Sequence, residues 1–299
     1  MSREITTQAT NKINIVGKLL DVALGEGKFS DGREYERATM TIRTEQTYDG
    51  RTEISEIPIG VIATPHTRAG GPNPVWDTMR TIKTLKTVQN VGLAQADTIR
   101  INGGTLRENN FVSKSGQLIT GWQLSTSFLN TGAVNDIASF NCDIFILDMS
   151  DEMTRDGDTT GRLKIKGGLV QYNGKLDVIE FFVEDPAKID YLSRNWNIND
   201  TVNARGRIRV TSKVENVSGN HSSWGEDLPD DTTKTVKELI ITTGSDEPFD
   251  KEFAYDPDDI HKAFNIRKAL IEQMQLQARN PAPTKPAPAT TTSRKYDWE

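Results

Sequence analysis

An internal repeat constrains the fold of this 299-residue chain more than any other feature. Residues 47–59 align without gaps on residues 171–183, and each segment has a polar turn, Asp-Gly or Asn-Gly, followed by a strand of alternating apolar residues. Ile57 of the first copy corresponds to Phe181 of the second. Such a turn between alternating strands is a strong hairpin signal, and its repetition predicts two similar β-domains.

The order of elements within each copy indicates the architecture. Both copies read as strand, strand, turn, strand, helix and strand, with helices predicted near residues 74–88 and 186–195. Further strands are predicted at residues 117–129 and 236–242. Five short antiparallel strands with a helix between the third and fourth are typical of a small Greek-key OB barrel. A β-sandwich is the alternative, which strand spacing alone does not exclude.

We therefore expect a mainly β protein of four parts. Residues 1–135 and 136–245 are predicted to be tandem OB-fold domains, and residues 246–279 to hold an acidic segment and an amphipathic helix. The Pro/Ala/Thr linker and terminal peptide of residues 280–299 are predicted to be disordered. Asp256, which is followed by a proline, is expected to cap the helix. The apolar residues at helical spacing are Ile260, Ala263, Phe264, Leu270, Ile271 and Met274.

Several classes of site have no residues to support them. Cys142 is the single cysteine, so neither an internal disulfide nor a multi-thiolate zinc site is expected. His66, His221 and His261 lack metal-ligand spacing. We predict no catalytic residue, metal or cofactor, and no enzyme activity. The chain has neither a secretory apolar region nor a run of about 18 apolar residues, which predicts a cytoplasmic protein without a membrane partner.

The charge is unevenly distributed along the chain. The net charge of -6 and the pI near 5.3 argue against a surface that is basic throughout. From residue 219 onward there are 15 acids and 10 bases, whereas residues 1–218 hold 27 acids and 26 bases. Because the acidic excess follows the repeated units, a locally basic groove within those units is compatible with the acidic pI.

Strand phase indicates which side chains point away from the core. Successive side chains of a strand point to opposite faces. In residues 37–43 the alternate positions are apolar, which leaves an arginine at each end on the outer face. The same alternation places Phe182 on the outer face of its strand. Trp122 shares its phase with Leu124 and is expected in the core.

Cations and rings on the outer faces of several strands favour binding of single-stranded nucleic acid, because cations neutralise phosphates and rings stack on bases. A solvated, charged sheet face is the alternative interpretation for any one strand. The candidate phosphate-binding residues are Arg37, Arg43, Arg51, Lys164, Lys166, Lys175, Arg205, Arg207 and Arg209. The candidate base-stacking residues are Tyr48, Tyr172 and Phe182.

Four segments of the chain resemble single-stranded-DNA-binding proteins from phages of Gram-positive bacteria. They are NKINIVGKLLDV, RINGGTLRENNFVSKSGQ, TGRLKIKGGLVQYNGKLDVIEFFVEDP and DTVNARGRIRVTSK. That family is built from tandem OB-like domains. The resemblance implies a non-catalytic, largely sequence-independent coat for single strands during phage DNA replication or recombination. It also implies that the C-terminal tail contacts replication or recombination proteins. The alternative is a phage structural or protein-interaction β-domain protein.

Overall fold

The computed structural model describes residues 2–48, 50–113, 116–132, 135–154, 156–217 and 230–279. The predicted disordered segment, residues 280–299, lies outside these described residues. The described chain is mainly β, as predicted. None of its described helices is long and apolar enough to cross a lipid bilayer.

The described elements follow the predicted order. The strands are β1 (Asn11–Lys28), β2 (Glu34–Tyr48), β3 (Arg51–Ala63), β4 (Thr98–Glu108), β5 (Phe111–Val112), β6 (Leu118–Ile119), β7 (Trp122–Ser125), β8 (Asn130–Thr131), β9 (Ile137–Met153), β10 (Thr159–Val170), β11 (Leu176–Val183), β12 (Thr201–Val217) and β13 (Asp230–Gly244). The helices are α1 (Pro74–Ile82), α2 (Val88–Val91), α3 (Pro186–Asn195) and α4 (Pro257–Arg279).

Five strands of the first half close into a barrel. Strand β1 pairs with β2, β2 with β3, β3 with β7, β7 with β4, and β4 returns to β1. The β3–β7 pairing is parallel, and the other four are antiparallel. Helices α1 and α2 lie between the third and fourth strands of this barrel, β3 and β4. This order of strands is that of an OB barrel.

The second half repeats the same path. Strand β9 pairs with β10, β10 with β11, β11 with β13, β13 with β12, and β12 returns to β9. The β11–β13 pairing is again parallel, and α3 again lies between the third and fourth strands. The repeated turn segments are the β2–β3 and β10–β11 hairpins, one in each barrel. The prediction of two OB barrels is confirmed, and the sandwich is excluded because the five strands of each half close on themselves.

Alternating burial explains why these segments form barrel walls. Met40 on β2 is paired with Ile59 on β3, and Ile42 with Ile57; all four side chains are buried. Burying an aliphatic side chain of this size contributes about 1.5–3 kcal/mol. At Gly206 on β12 a Cβ atom would overlap the carbonyl oxygen of Ile240, so the close approach of these two strands requires glycine.

The two barrels are joined by more than the connecting chain. Strand β1 also pairs with β9, which makes the two barrels one continuous sheet with one core. The segment before β1 crosses to the second barrel, where the Ala9 N–H donates to the carbonyl oxygen of Val170 at 2.9 Å. The Val210 N–H on β12 donates to Ser55 Oγ on β3 at 3.2 Å. Each barrel therefore contributes to the stability of the other.

The structure divides one predicted strand and confirms the predicted start of the C-terminal helix. The strand predicted at residues 117–129 is divided into β6 and β7, because β6 turns back to pair with β5 in a small hairpin. Trp122 is buried, as its phase predicted. Helix α4 begins at Pro257, and the Asp256 side chain accepts from the Asp258 N–H at 3.0 Å. The apolar stripe of α4 is only partly covered, since Leu270 is 52% exposed.

Candidate nucleic-acid interface

A groove of about 620 Å³ lies between the barrels and α4; we call it the inter-barrel groove. Its floor is the outer face of the β10–β11 hairpin, which forms the second and third strands of the second barrel. One wall is the connection between β4 and β7, including the β5–β6 hairpin of the first barrel, and the other wall is α4. In OB barrels, the face of strands two and three and the loop between strands four and five are where oligonucleotides bind.

The groove contains aromatic rings and cationic groups. Phe111 on β5 is 46% exposed, whereas Phe182 and Phe264 are half-buried. Lys166 and Lys237 line the groove. Burial lowers the pKa of Lys237, so an anion held in the groove would stabilise the charged form of this side chain. The other charged lining residues are Glu108, Glu180 and Arg267.

Phe182 lies on the outer face of β11, as predicted, but it is less exposed than expected. Lys164 is its partner on β10. The guanidinium carbon of Arg162 lies 4.5 Å from the centroid of the Phe182 ring, a cation–π distance. Arg162 precedes Lys164 and Lys166 at period two, so the alternation that identified the two lysines could also have identified this arginine.

Arg207 and Arg209, which strand phase places on an outer face, are paired with carboxylates of the protein. Arg207 lies 2.7 Å and Arg209 lies 2.6 Å from the carboxylate of Glu184 at the end of β11. Both side chains are less than 20% exposed. Their outer face is covered because the two barrels meet there. These arginines belong to a cluster, the ion-pair network, whose members are Arg162, Arg207, Arg209, Glu53, Glu152, Glu184 and Glu238.

The charged groups of the ion-pair network stabilise one another's ionised forms. Burial of Arg209 favours its neutral form, but hydrogen bonds from its guanidinium to Glu238 and Glu184 outweigh burial and raise its pKa. Burial also opposes ionisation of Glu238, yet hydrogen bonds from Arg209 and Arg162 lower its pKa below the ordinary value of 4.5. The charges of this cluster are therefore held by partners within the protein.

Tyr48 also belongs to the junction between the barrels. The guanidinium carbon of Arg207 lies 4.4 Å from the centroid of the Tyr48 ring, and burial raises the pKa of the Tyr48 hydroxyl. The ring is half-buried, and its role as a base-stacking residue stays a prediction.

The remaining predicted site residues are spread over the surface. Tyr172 is 72% exposed at the β10–β11 turn, beside Lys175, which is 3.6 Å from Asp177. Arg43 is paired with Glu45 at 3.0 Å. Of the remaining candidates, Arg37 and Arg51 in the first barrel and Arg205 in the second are exposed.

The structure thus brings Lys166 and Phe182 together in the groove, with Lys164 beside Phe182. Sequence reasoning missed Phe111, Lys237, Phe264 and Arg267, which line the same groove. For Phe111 a signal existed, since a large apolar residue stands in a polar turn segment, RENNFVSKSGQ.

Known structures provide an independent comparison of the fold. The wild-type single-stranded DNA binding protein from Thermus aquaticus is similar with a TM-score of 0.50 and 10% sequence identity, over 84% of this chain and 99% of that chain. A deletion mutant of the same Thermus aquaticus protein is similar with a TM-score of 0.46 and 11% identity, over 84% of this chain and 98% of that chain. At such low identity the likeness to the wild-type protein shows a common fold alone. A search of curated protein sequences finds no match.

A comparison with protein-family models gives a match over nearly the whole described chain. The model is that of the YorF family, and it matches residues 9–277, from the segment before β1 to the last turns of α4. The match includes both barrels and every described residue that lines the inter-barrel groove. The chain therefore belongs to the YorF family.

Proposed function

We propose that this protein binds single-stranded DNA in the inter-barrel groove, with little sequence preference and without catalysis. The observation that carries the proposal is the position of Lys166 and Phe182 on strands two and three of an OB barrel, beside Lys237 on the fifth strand, β13. Base stacking contributes about 1–3 kcal/mol per ring, and lysines neutralise phosphates. Because neither interaction reads base edges, weak sequence preference follows.

The predicted site residues take different roles in this proposal. Lys166 and Phe182 act in the groove itself, and Lys164 acts beside Phe182. Tyr48, Arg207 and Arg209 hold the junction between the barrels, and their contribution to binding is indirect. A single-stranded DNA that extends beyond the groove would reach the outlying candidates, which are Arg37, Arg43, Arg51, Tyr172, Lys175 and Arg205.

The biological setting belongs to the same proposal. The resemblance to phage single-strand binders and the fold shared with a bacterial single-stranded DNA binding protein support a role in coating single strands. We place this role in phage DNA replication or recombination, in the cytoplasm of the host cell. Residues 280–299 are proposed to contact replication or recombination proteins.

The test is a fluorescence titration of the purified protein with oligothymidylate. Trp122 lines the groove, so binding should change the intrinsic tryptophan emission. Affinity should fall as salt rises, with a slope of about -0.7 per phosphate contact on a log–log plot. An unchanged spectrum and unchanged gel mobility at low salt would exclude the proposal.

One observation favours the alternative, a protein-interaction role. Near the middle of α4, Ile266 is 64% and Leu270 52% exposed, and uncovered apolar side chains are typical of protein contacts. Substituting both residues with glutamine distinguishes the two functions. DNA affinity should be retained if the groove binds DNA, because neither residue lines it.

A further inference from the structure

Glu108, the last residue of β4, connects three elements around the inter-barrel groove. Its carboxylate accepts hydrogen bonds from Asn110 Nδ2 at 2.7 Å and from the Val178 N–H on β11 at 3.4 Å. The same carboxylate accepts a hydrogen bond from Arg267 Nε on α4 at 2.8 Å and a second one from Arg267 Nη2. The first barrel, the second barrel and the C-terminal helix therefore meet at one side chain.

The contact between Glu108 and Arg267 is protected from solvent. The Glu108 side chain is 8% exposed and that of Arg267 is 19% exposed. Two parallel hydrogen bonds from a guanidinium to a carboxylate fix orientation as well as distance. The Arg267 guanidinium also lies 5.9 Å from the centroid of Phe264, one turn earlier on α4, and both residues line the groove.

Glu108 stands at the base of the β5–β6 hairpin. The next residue, Asn109, donates its N–H to the carbonyl oxygen of Gly121 at 2.8 Å, which closes that base. The hairpin has only two paired residues in each strand, Phe111 and Val112 with Ile119 and Leu118. So short a hairpin is marginally stable by itself, and its position depends on what it contacts.

We propose that Arg267 is a positioning residue for the DNA groove. Through Glu108, α4 holds the β5–β6 hairpin and its exposed Phe111 over the β10–β11 face. The guanidinium charge is already satisfied by Glu108, so Arg267 acts by fixing the wall of the groove and not by binding phosphate. The consequence for DNA affinity rests on the proposed function, whereas the consequence for the hairpin does not.

The experiment compares the Arg267→Gln variant with a matched control, Lys268→Gln. Both substitutions remove one positive charge from α4, but Lys268 is exposed and does not line the groove. The first measurement is amide hydrogen exchange without DNA. Exchange at Asn109 and Ser113, whose N–H groups close the hairpin, should become about tenfold faster in Arg267→Gln and stay unchanged in Lys268→Gln.

The second measurement is oligothymidylate affinity against salt concentration. Arg267→Gln should bind about tenfold more weakly than the wild-type protein, with an unchanged salt slope, and Lys268→Gln should bind within about twofold of it. A slope smaller by about 0.7 in Arg267→Gln would overturn the proposal, since it would identify a phosphate contact. Equal losses in both variants would also overturn it, because they would indicate a general charge effect.

The two proposals fail in different ways. If the wild-type protein does not bind oligothymidylate, the proposed function is wrong, and hydrogen exchange still decides whether α4 holds the hairpin. If the wild-type protein binds and hairpin exchange is unchanged in Arg267→Gln, the positioning role is wrong while DNA binding stands. A general loss of protection across both barrels would likewise overturn a local positioning role.

Discussion

At the scale of single residues, two adjacent phenylalanines on β11 have opposite environments. Phe181 is fully buried in the core, whereas Phe182 lines the groove beneath Arg162. We expect Phe182→Ala to lower oligothymidylate affinity about tenfold, because one base loses its stacking partner. The cost in unfolding free energy should be about 1 kcal/mol, since the lost cation–π contact is near the surface. Fluorescence titration and thermal denaturation measure the two effects.

Phe181→Ala is the matched control. It should lower the free energy of unfolding by about 3–5 kcal/mol, the usual result of removing a core phenyl ring. If Phe182→Ala destabilises the protein as strongly as Phe181→Ala, the two side chains have been assigned to the wrong faces. If Phe182→Ala retains wild-type affinity, the ring is not part of the DNA site.

Glu238 makes the stability of the ion-pair network dependent on pH. Its folded-state pKa is lowered, because hydrogen bonds from Arg209 and Arg162 outweigh the effect of burial. A lowered carboxyl pKa stabilises the fold above the ordinary value of 4.5, and this contribution is lost as pH falls through the folded-state pKa. We expect Glu238→Gln to cost about 2 kcal/mol of unfolding free energy near pH 7 and progressively less below pH 4.5.

Urea denaturation of both proteins from pH 7 to pH 3 checks the prediction for Glu238. Burial raises the pKa of Asp177, so its contribution to the pH dependence of stability is opposite to that of Glu238. Because Asp177 is present in both proteins, this contribution cancels in the difference between their unfolding free energies. A difference in unfolding free energy that grows on acidification would contradict the assigned direction.

At the scale of elements, α4 is the last described element along the chain that lines the groove. Every described residue that lines it precedes position 268. Deleting residues 280–299 should therefore leave oligothymidylate affinity equal to that of the full chain or slightly higher. The measurement is a titration of the truncated and full-length proteins at the same salt concentration. A large loss of affinity in the truncated protein would mean that the tail takes part in the site.

Elements with strong local signals were predictable from sequence. The β2–β3 and β10–β11 hairpins have turn residues between alternating strands, and α4 has its capping aspartate followed by proline. The segment at residues 117–129 has no such signal. Its apolar positions suit one long strand as well as the β6–β7 arrangement, and pairing of β6 with β5 decides between them.

At the scale of the whole molecule, the barrels share one core and one continuous sheet. We expect thermal unfolding in a single cooperative transition, with calorimetric and van't Hoff enthalpies in agreement. A fragment of residues 136–245 should be much less stable than the same segment in the full chain, because it lacks β1, the partner of β9. Two separate calorimetric transitions in the full-length protein would contradict this prediction. The boundary at residues 135 and 136 stays a prediction.

Net charge is also a property of the whole molecule. The acidic excess after residue 218 left room for a locally basic groove within the repeated units. In the folded chain, three residues from that acidic region line the groove: Lys237, Phe264 and Arg267. Average charge along the sequence therefore did not indicate which cations face the site.

The sequence by itself determined two similar halves with their strands and helices in the OB order, because hairpin turns, strand alternation and helix caps are local patterns that repeat along the chain. The tertiary structure decided that each half closes into a barrel and not a sandwich. The sequence also determined that Phe182 lies outside the core and Phe181 inside. Only the tertiary structure decided that Arg207 and Arg209 are paired with Glu184, whereas Lys166 faces an open groove. Alternation tells which face of a strand a side chain occupies, but the partner of that face depends on how the barrels pack together.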